Sequence, residues 1–390
     1  MLDITHYICY NDVKSKREVI NMYNEIKEFI LKKQELNCER IGDLFPHATE
    51  NGKFDRSEHC GWIGGFYAGL NYLCYEMSGK EIFKETNDKL IDRLEKILAI
   101  HGKGLSHDIG MLFTPSTYAK YVLFGDEHAK EITIKAGEAL CERFKPEGGY
   151  IQAWDAWGDN EFGRNNLYRM IVDCLFNLPL LFRCHELTGD QKFYDIAYTH
   201  AKTAQKYLVR DDYTTAHTFV FNPDGTPRMQ QTLQGHTDTS CWSRGQGWAT
   251  TGFAWAYKFT GDESFLETSK KCAEKFLELT EDNLIPKWDF DYKGVRSAPR
   301  DTSAASIIGL GFMELYDATG DESYKEIAEK ILFELYENYA TRYEYKTEGL
   351  ITEGSGFVGN FININISLIY GDYCFTELLT RLTGISKGYW

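Results

Sequence analysis

The chain has 390 residues and a formal net charge of −15; 43% of its residues are hydrophobic and 15% aromatic. So acidic a chain, with no basic stripe to displace counterions, excludes nucleic acid as a partner. No apolar run is long enough to cross a bilayer, and Met1–Tyr10 lacks the basic start and apolar core of a leader, so the expectation is a soluble, cytoplasmic protein without membrane contact.

Along the chain, six copies of one small turn recur: Met77-Ser78-Gly79-Lys80, Leu123-Phe124-Gly125-Asp126, Leu187-Thr188-Gly189-Asp190, Phe259-Thr260-Gly261-Asp262, Ala318-Thr319-Gly320-Asp321 and Leu382-Thr383-Gly384-Ile385. Glycine ends a helix in the left-handed conformation, and the Asp that follows most copies caps the next helix. Each copy predicts a tight helix–helix turn. The glycines lie 46, 64, 72, 59 and 64 residues apart. A helical hairpin repeated six times is the arithmetic of an all-α (α/α)6 barrel filling residues 1–390 as one domain.

The segments before the turns are apolar or small nearly all round, which predicts buried inner helices: Gly61–Met77, Asn166–Leu187, Gly245–Phe259, Thr302–Leu315 and Phe361–Leu382. The segments after the turns are amphipathic. In 321–338, Tyr324, Ile327, Ile331 and Leu335 share one stripe, which predicts an outer helix with one wet face. Short glycine turns then close one end of the barrel. The longer connections gather at the other end, about residues 35–60, 100–113, 144–165, 209–243, 281–300 and 340–360. These hold most of the Trp and His residues, so the mouth they form is the expected site.

His107-Asp108 stands at the entry to the second inner helix, where capping is the plain alternative to chemistry. Asp173 lies in Met170-Ile171-Val172-Asp173-Cys174-Leu175-Phe176, read as the interior of an inner helix, with Pro179 kinking it after Asp173. A buried carboxylate is paired or used. Arg169, four residues earlier on the same helical face, offers the pairing; catalysis is the other reading. Two carboxyls brought together at a barrel mouth cannot both ionise cheaply, and the proton held is the one sugar chemistry needs. A third cluster, Gln234 to Trp248, crowds Gln, His, Arg and indole groups, with Arg244 and Trp248 four apart and so placed to stack. His217 belongs to the same connection, and Trp62, Trp154 and Trp157 are candidates to stack on sugar. The ten cysteines form no Cys-x-x-Cys pair, and His185-Glu186 lacks a second His, so no metal site is expected.

The segments Ser106-His107-Asp108-Ile109-Gly110, Ile151-Gln152-Ala153-Trp154-Asp155, Met170-Ile171-Val172-Asp173, Trp242-Ser243-Arg244-Gly245-Gln246-Gly247-Trp248 and Tyr370-Gly371-Asp372-Tyr373 resemble, in this order, the unsaturated glucuronyl hydrolases of glycoside hydrolase family 88. The resemblance runs roughly from Trp62 to Leu382. It implies the same (α/α)6 barrel, no metal and no organic cofactor. The implied reaction is removal of an unsaturated (4,5-ene) uronic acid from the non-reducing end of lyase-generated oligosaccharides such as glycosaminoglycan disaccharides. By the resemblance Asp173 is the general acid/base and Asp108 the second essential carboxylate. Trp62, His107, Trp154, His217, Gln234, Arg244 and Trp248 match substrate-contacting positions, with Trp157 competing for the place of Trp154.

One departure concerns a Ser-x-x-Ser-x-Lys element, present in members that favour sulfated fragments. Phe357-Val358-Gly359-Asn360-Phe361-Ile362 stands there instead, and Gln234 replaces an arginine of such members. The alternatives are an unsaturated rhamnogalacturonyl hydrolase acting on pectin fragments, a sugar 2-epimerase, a polysaccharide lyase or a non-catalytic glycan-binding toroid. A monomer or weak homo-oligomer is expected.

Overall fold

Five of the six glycines end an inner helix in the left-handed conformation. Gly79, Gly125, Gly189, Gly261 and Gly320 have φ between 65° and 74°, and each donates its N–H to the carbonyl four residues earlier. The next residue then opens an outer helix. Asp126, Asp190, Asp262 and Asp321 each accept a backbone N–H of the new first turn, whereas Lys80 makes no side-chain cap. The computed structural model describes residues 15–281, 283–344 and 346–390. Met1–Tyr10, read above for a leader, lies outside them.

The inner helices are Gly64–Ser78, a broken segment beginning with Ile109–Phe113 and ending with Ala119–Phe124, then Leu178–Thr188, Ser243–Thr260, Thr302–Thr319 and Ile369–Leu382. Outside them lie Glu81–His101, Glu127–Cys141, Gln191–Tyr207, Glu263–Leu279 and Glu322–Glu334. Lys16–Ile41 completes the outer layer and packs on both the first and the last inner helix, closing the (α/α)6 ring. Its first turn is a capping box in which Ser15 and Glu18 satisfy each other's backbone N–H. Close approach between inner segments requires glycine: a Cβ on Gly65 would stand 2.2 Å from the Leu112 carbonyl oxygen. No helix among the described residues is long and apolar enough to cross a membrane.

Three expectations fail. Residues 166–187 are not one helix. Arg169–Ile171 is a strand paired with Thr218–Phe221, Val172–Phe176 is a 3-10 turn, and the helix starts only at Leu178. Pro179 therefore sits in the first helical turn, where its missing N–H removes no bond, and it starts the helix rather than kinking it. Likewise Ile362–Ile366 is a strand of a hairpin with Gly354–Phe357, ahead of the last inner helix. The segment around Asp173 is an apolar run buried on all sides, with no periodicity to separate strand from helix; Ile362–Ile366 instead alternates apolar and polar residues, the period of a strand, and is exposed or half-buried. The third miss is the sixth turn. Gly384 has φ 69°, but no outer helix follows it; the outer layer is completed by Lys16–Ile41 instead.

Candidate active site

The long connections meet at the mouth as small antiparallel sheets, and the largest of these aims Asp173. Arg169–Ile171 is the edge strand of a three-stranded sheet with Thr218–Phe221 and Pro227–Gln231. Arg169, fully buried, spends its guanidinium on Asn166 Oδ1 (2.7 Å), Thr218 Oγ1 (2.7 Å), Gln231 Oε1 (2.9 Å) and the Phe162 carbonyl (3.1 Å). The i,i+4 salt bridge to Asp173 is thus absent, because strand geometry between the two residues removes the shared helical face. Asp173 is 8% exposed and its Oδ1 has no hydrogen-bond partner. Burial pushes its carboxyl up to about 7; Arg244 opposes the rise and the Asp108 charge adds to it.

Asp108 arrives from the neighbouring connection, at the start of the helix Ile109–Phe113. It accepts a hydrogen bond from Ser106 Oγ, and His107 Nε2 lies 3.4 Å from its Oδ1. Ser106 is held at φ 66°, a left-handed position unusual for a non-glycine residue and found here beside two candidate functional groups. Burial lifts Asp108 to about 7, with Ser106 and Arg143 opposing. Burial, with the Arg143 charge adding, keeps His107 well below the usual imidazole range and so neutral. Asn177 ties the two acidic segments together. Its Oδ1 accepts the Met111 N–H (2.7 Å), while its Nδ2 lies 3.4 Å from both the Asp173 carbonyl and His107 Nδ1. Gly110 permits the approach: a Cβ there would stand 2.4 Å from Asn177 Cα.

Around this pair the predicted aromatic and polar groups divide. Trp154 faces both histidines edge-on, with centroids 6.2 Å from His107 and 6.3 Å from His217. Trp157 packs on its outer side and is 42% exposed, so Trp154 is the indole nearer the acids. His217 Nδ1 accepts the backbone N–H of Leu233 (2.9 Å) and of Gln234 (3.3 Å). The proton of this neutral ring is therefore on Nε2, which is buried without a partner. Trp62 and Gln234 line a cavity of about 270 Å³ with Phe357, Asn363 and Tyr370.

Arg244 is 1% exposed, and both its Nη atoms are engaged. It donates to Asp301 Oδ2, to Ser303 Oγ (3.4 Å) and to the carbonyls of Ser355 (2.8 Å) and Gly356 (2.7 Å). It stacks on Trp242 (4.5 Å) and Tyr370 (5.4 Å), not on Trp248 as the helical spacing predicts. Trp248 has no exposed surface and packs on Phe176 at 4.2 Å, which places it in the core rather than at the mouth. The sequence reading missed Tyr370, whose buried hydroxyl is unpartnered, and Asp301, which holds Arg244 while capping the fifth inner helix through Ser303 N. The motif around Tyr370 was the available signal for the first; an N-cap Asp looks like any other until its second oxygen is seen on an arginine. Among the described residues no group of three or more His, Cys, Asp or Glu is placed to hold a metal ion.

The sequence profile of Glycosyl Hydrolase Family 88 matches residues 37–287. An unsaturated chondroitin disaccharide hydrolase of Streptococcus pneumoniae is 34% identical over 373 residues, 93% of this chain and 92% of that protein. The crystal structure of an unsaturated glucuronyl hydrolase from Bacillus sp. GL1, described as responsible for the degradation of glycosaminoglycan, superposes with a TM-score of 0.90 at 34% identity, covering 94% of this chain and 98% of that one. A mutant unsaturated glucuronyl hydrolase of Streptococcus agalactiae, complexed with dGlcA-GalNAc6S, superposes with a TM-score of 0.84 at 27% identity, covering 100% and 97%.

Proposed function

Because the chain belongs to glycoside hydrolase family 88, we propose that it releases a 4,5-unsaturated uronic acid from the non-reducing end of glycosaminoglycan disaccharides made by a lyase. The observation that carries this reading is the pair of buried carboxyls, Asp173 and Asp108, both pushed up to about 7 and so able to hold a proton near neutrality. Groups that interact in this way titrate as a coupled pair.

The C4=C5 double bond of such a ring is an enol ether, bonded at C5 to the ring oxygen and the carboxylate carbon. Protonated Asp173 delivers its proton to C4, and the cation at C5 is stabilised by the ring oxygen. Water adds to C5 and gives its proton back to the Asp173 carboxylate. The resulting hemiketal opens and expels the remaining sugar without attack at the anomeric carbon. Asp108 holds ring hydroxyls, and its negative charge keeps the Asp173 proton in place. His217 Nε2–H, buried and unpartnered, donates to a substrate oxygen. Arg244 acts through its field, since Asp301, Ser355 and Gly356 occupy its fork. Trp62 and Trp154 supply apolar faces for the rings.

The cavity beside Trp62 receives the leaving sugar. Phe357 and Ile362 line it with Gln234 and Asn363; among the described residues its lining has no lysine or arginine, and its one histidine, His47, is turned to Asp55 (3.0 Å), so unsulfated disaccharides are the better substrates. The cytoplasmic location and the monomeric or weakly associating state belong to the same proposal, tested by cell fractionation and sedimentation. The decisive experiment follows ultraviolet absorbance of unsaturated chondroitin and hyaluronan disaccharides. Absorbance falls with the wild-type protein and stays constant with a folded Asp173→Asn variant. Near wild-type turnover by that variant rules out the assignment.

A further inference from the structure

The segment after the sixth glycine turn is absorbed neither by the ring nor by the reaction. Instead of forming an outer helix, it carries Trp390 into the middle of the ring, where the side chain is 2% exposed. The indole stacks on Trp255 of the fourth inner helix (5.2 Å, 21°) and lies 6.0 Å from Phe66 of the first and 6.1 Å from Tyr373 of the last. Its Nε1 donates to Glu377 (3.0 Å), and its carbonyl oxygen accepts from Arg183 (2.7 Å) and Lys258 (3.3 Å). Four inner helices are thus bridged by one residue.

The remaining contact of Trp390 points toward the mouth. Its ring lies 5.4 Å from Phe176, the last residue of the 3-10 turn that carries Asp173. Phe176 otherwise rests on Trp248 (4.2 Å) and Trp255 (4.3 Å). Asp173 Oδ1 makes no hydrogen bond. Its position is therefore set by the backbone of its own turn, and that turn sits on an aromatic stack whose lowest member is Trp390. Protein interiors are close-packed and relax into a void only partly, so loss of the lowest ring is felt above it.

We infer that Trp390 is a positioning residue for Asp173, acting through Phe176 from the closed end of the barrel. The inference rests on the proposed role of Asp173 only for its kinetic consequence. The charged and titratable groups around Asp173 are Asp108, Arg244, Tyr370 and Cys174. None of them touches Trp390, so a change in Asp173 on altering Trp390 travels through packing.

The test compares Trp390→Ala, Trp390→Phe and, as a control void of the same kind, Phe312→Ala; Phe312 is fully buried but packs outward on Tyr324. The protein is labelled with ¹³C at aspartate carboxyls, and the Asp173 resonance is identified as the one missing in Asp173→Asn. In Trp390→Ala the turn sinks, water reaches the carboxyl, and its titration midpoint moves down toward the ordinary range; in Phe312→Ala it stays. Trp390→Phe returns the midpoint most of the way. On an active wild type, kcat drops about 10- to 100-fold in Trp390→Ala with KM little changed, as misplacement of a reacting group predicts, while Phe312→Ala lowers only Tm. A folded Trp390→Ala protein with the wild-type midpoint overturns the inference, and where that variant does not fold, a folded Trp390→Leu protein with the wild-type midpoint does so. The titration is readable on an inactive protein, so absence of turnover by the wild type sinks the proposed reaction and leaves this result standing.

Discussion

Two clusters of buried charge lie at opposite ends of the barrel, and their acids behave in opposite ways. Near the glycine turns, burial raises the Glu314 carboxyl, but Arg381 (2.7 Å) and Lys258 (3.7 Å) outweigh it and hold the group down at about 2. At the mouth, Asp108 and Asp173 are as deeply buried and stand at about 7. Even within the first cluster the contrast recurs: Glu377, which accepts from the neutral Trp390 Nε1, is pushed up to about 6 by burial. Depth alone does not decide whether a carboxyl is charged; a cation in contact does. The mouth withholds that contact. Arg244 is nearby, but Asp301 has taken it.

The comparison can be broken from either end. The largest effect is on turnover. Asp173→Asn lowers kcat by about 10²- to 10⁴-fold without loss of helical circular dichroism, and wild-type kcat falls as pH rises through about 7, where the required proton leaves. At the turn end, Arg381→Ala leaves buried Glu314 with only Lys258 at 3.7 Å and destabilises the fold by roughly 3 kcal/mol. Chemical denaturation measures this, and kcat per folded molecule stays unchanged. An Arg381→Ala protein that loses kcat while still folded shows that the charge cluster at the turn end also reaches the mouth, beyond the aromatic stack of Trp390 and Phe176.

A third effect separates the two acids by the sign of their pH dependence. A carboxyl raised in the folded state binds more protons folded than unfolded between about 4 and 7, so its burial lowers stability as pH rises through that window. Asp173→Asn is therefore more stable than wild type at pH 8, by on the order of a few kcal/mol, with no such gain at pH 4. Glu314→Gln does the reverse: its depressed carboxyl stabilises the fold above about 4, and that contribution is lost as pH falls toward 2. Thermal melts at pH 8 and 4 read the Asp173 effect, and melts at pH 8 and about 2 read the Glu314 effect. The smallest effect is local to the turns. Asp321→Ala removes the cap on Ser323 N and costs about 1 kcal/mol, whereas Lys80→Ala, at the turn that lacks a side-chain cap, changes little.

The glycine turns were legible because a C-cap and the N-cap after it are decided within a few residues: Gly261 and Asp262 look the same in the sequence as in the fold. His107, Asp108 and Asp173 stood out as polar groups in apolar company, and the structure gathers them with Trp154 and His217. What surrounds Asp173 was not legible. Its strand and 3-10 turn replace a helix because Arg169–Ile171 finds a partner in Thr218–Phe221, about fifty residues on. That pairing also carries off Arg169, the cation that helical spacing had assigned to Asp173.

The sequence by itself determined the repeating hairpin, the inner and outer layers and the end at which the polar connections gather, since each follows from short-range capping and from which faces of a helix are apolar. Tertiary structure alone decided which acid is left without a cation, which rings receive Arg244 and where Trp390 comes to rest. Those outcomes depend on partners brought together from distant parts of the chain, and a buried group's charge is fixed by what touches it, not by its neighbours in sequence.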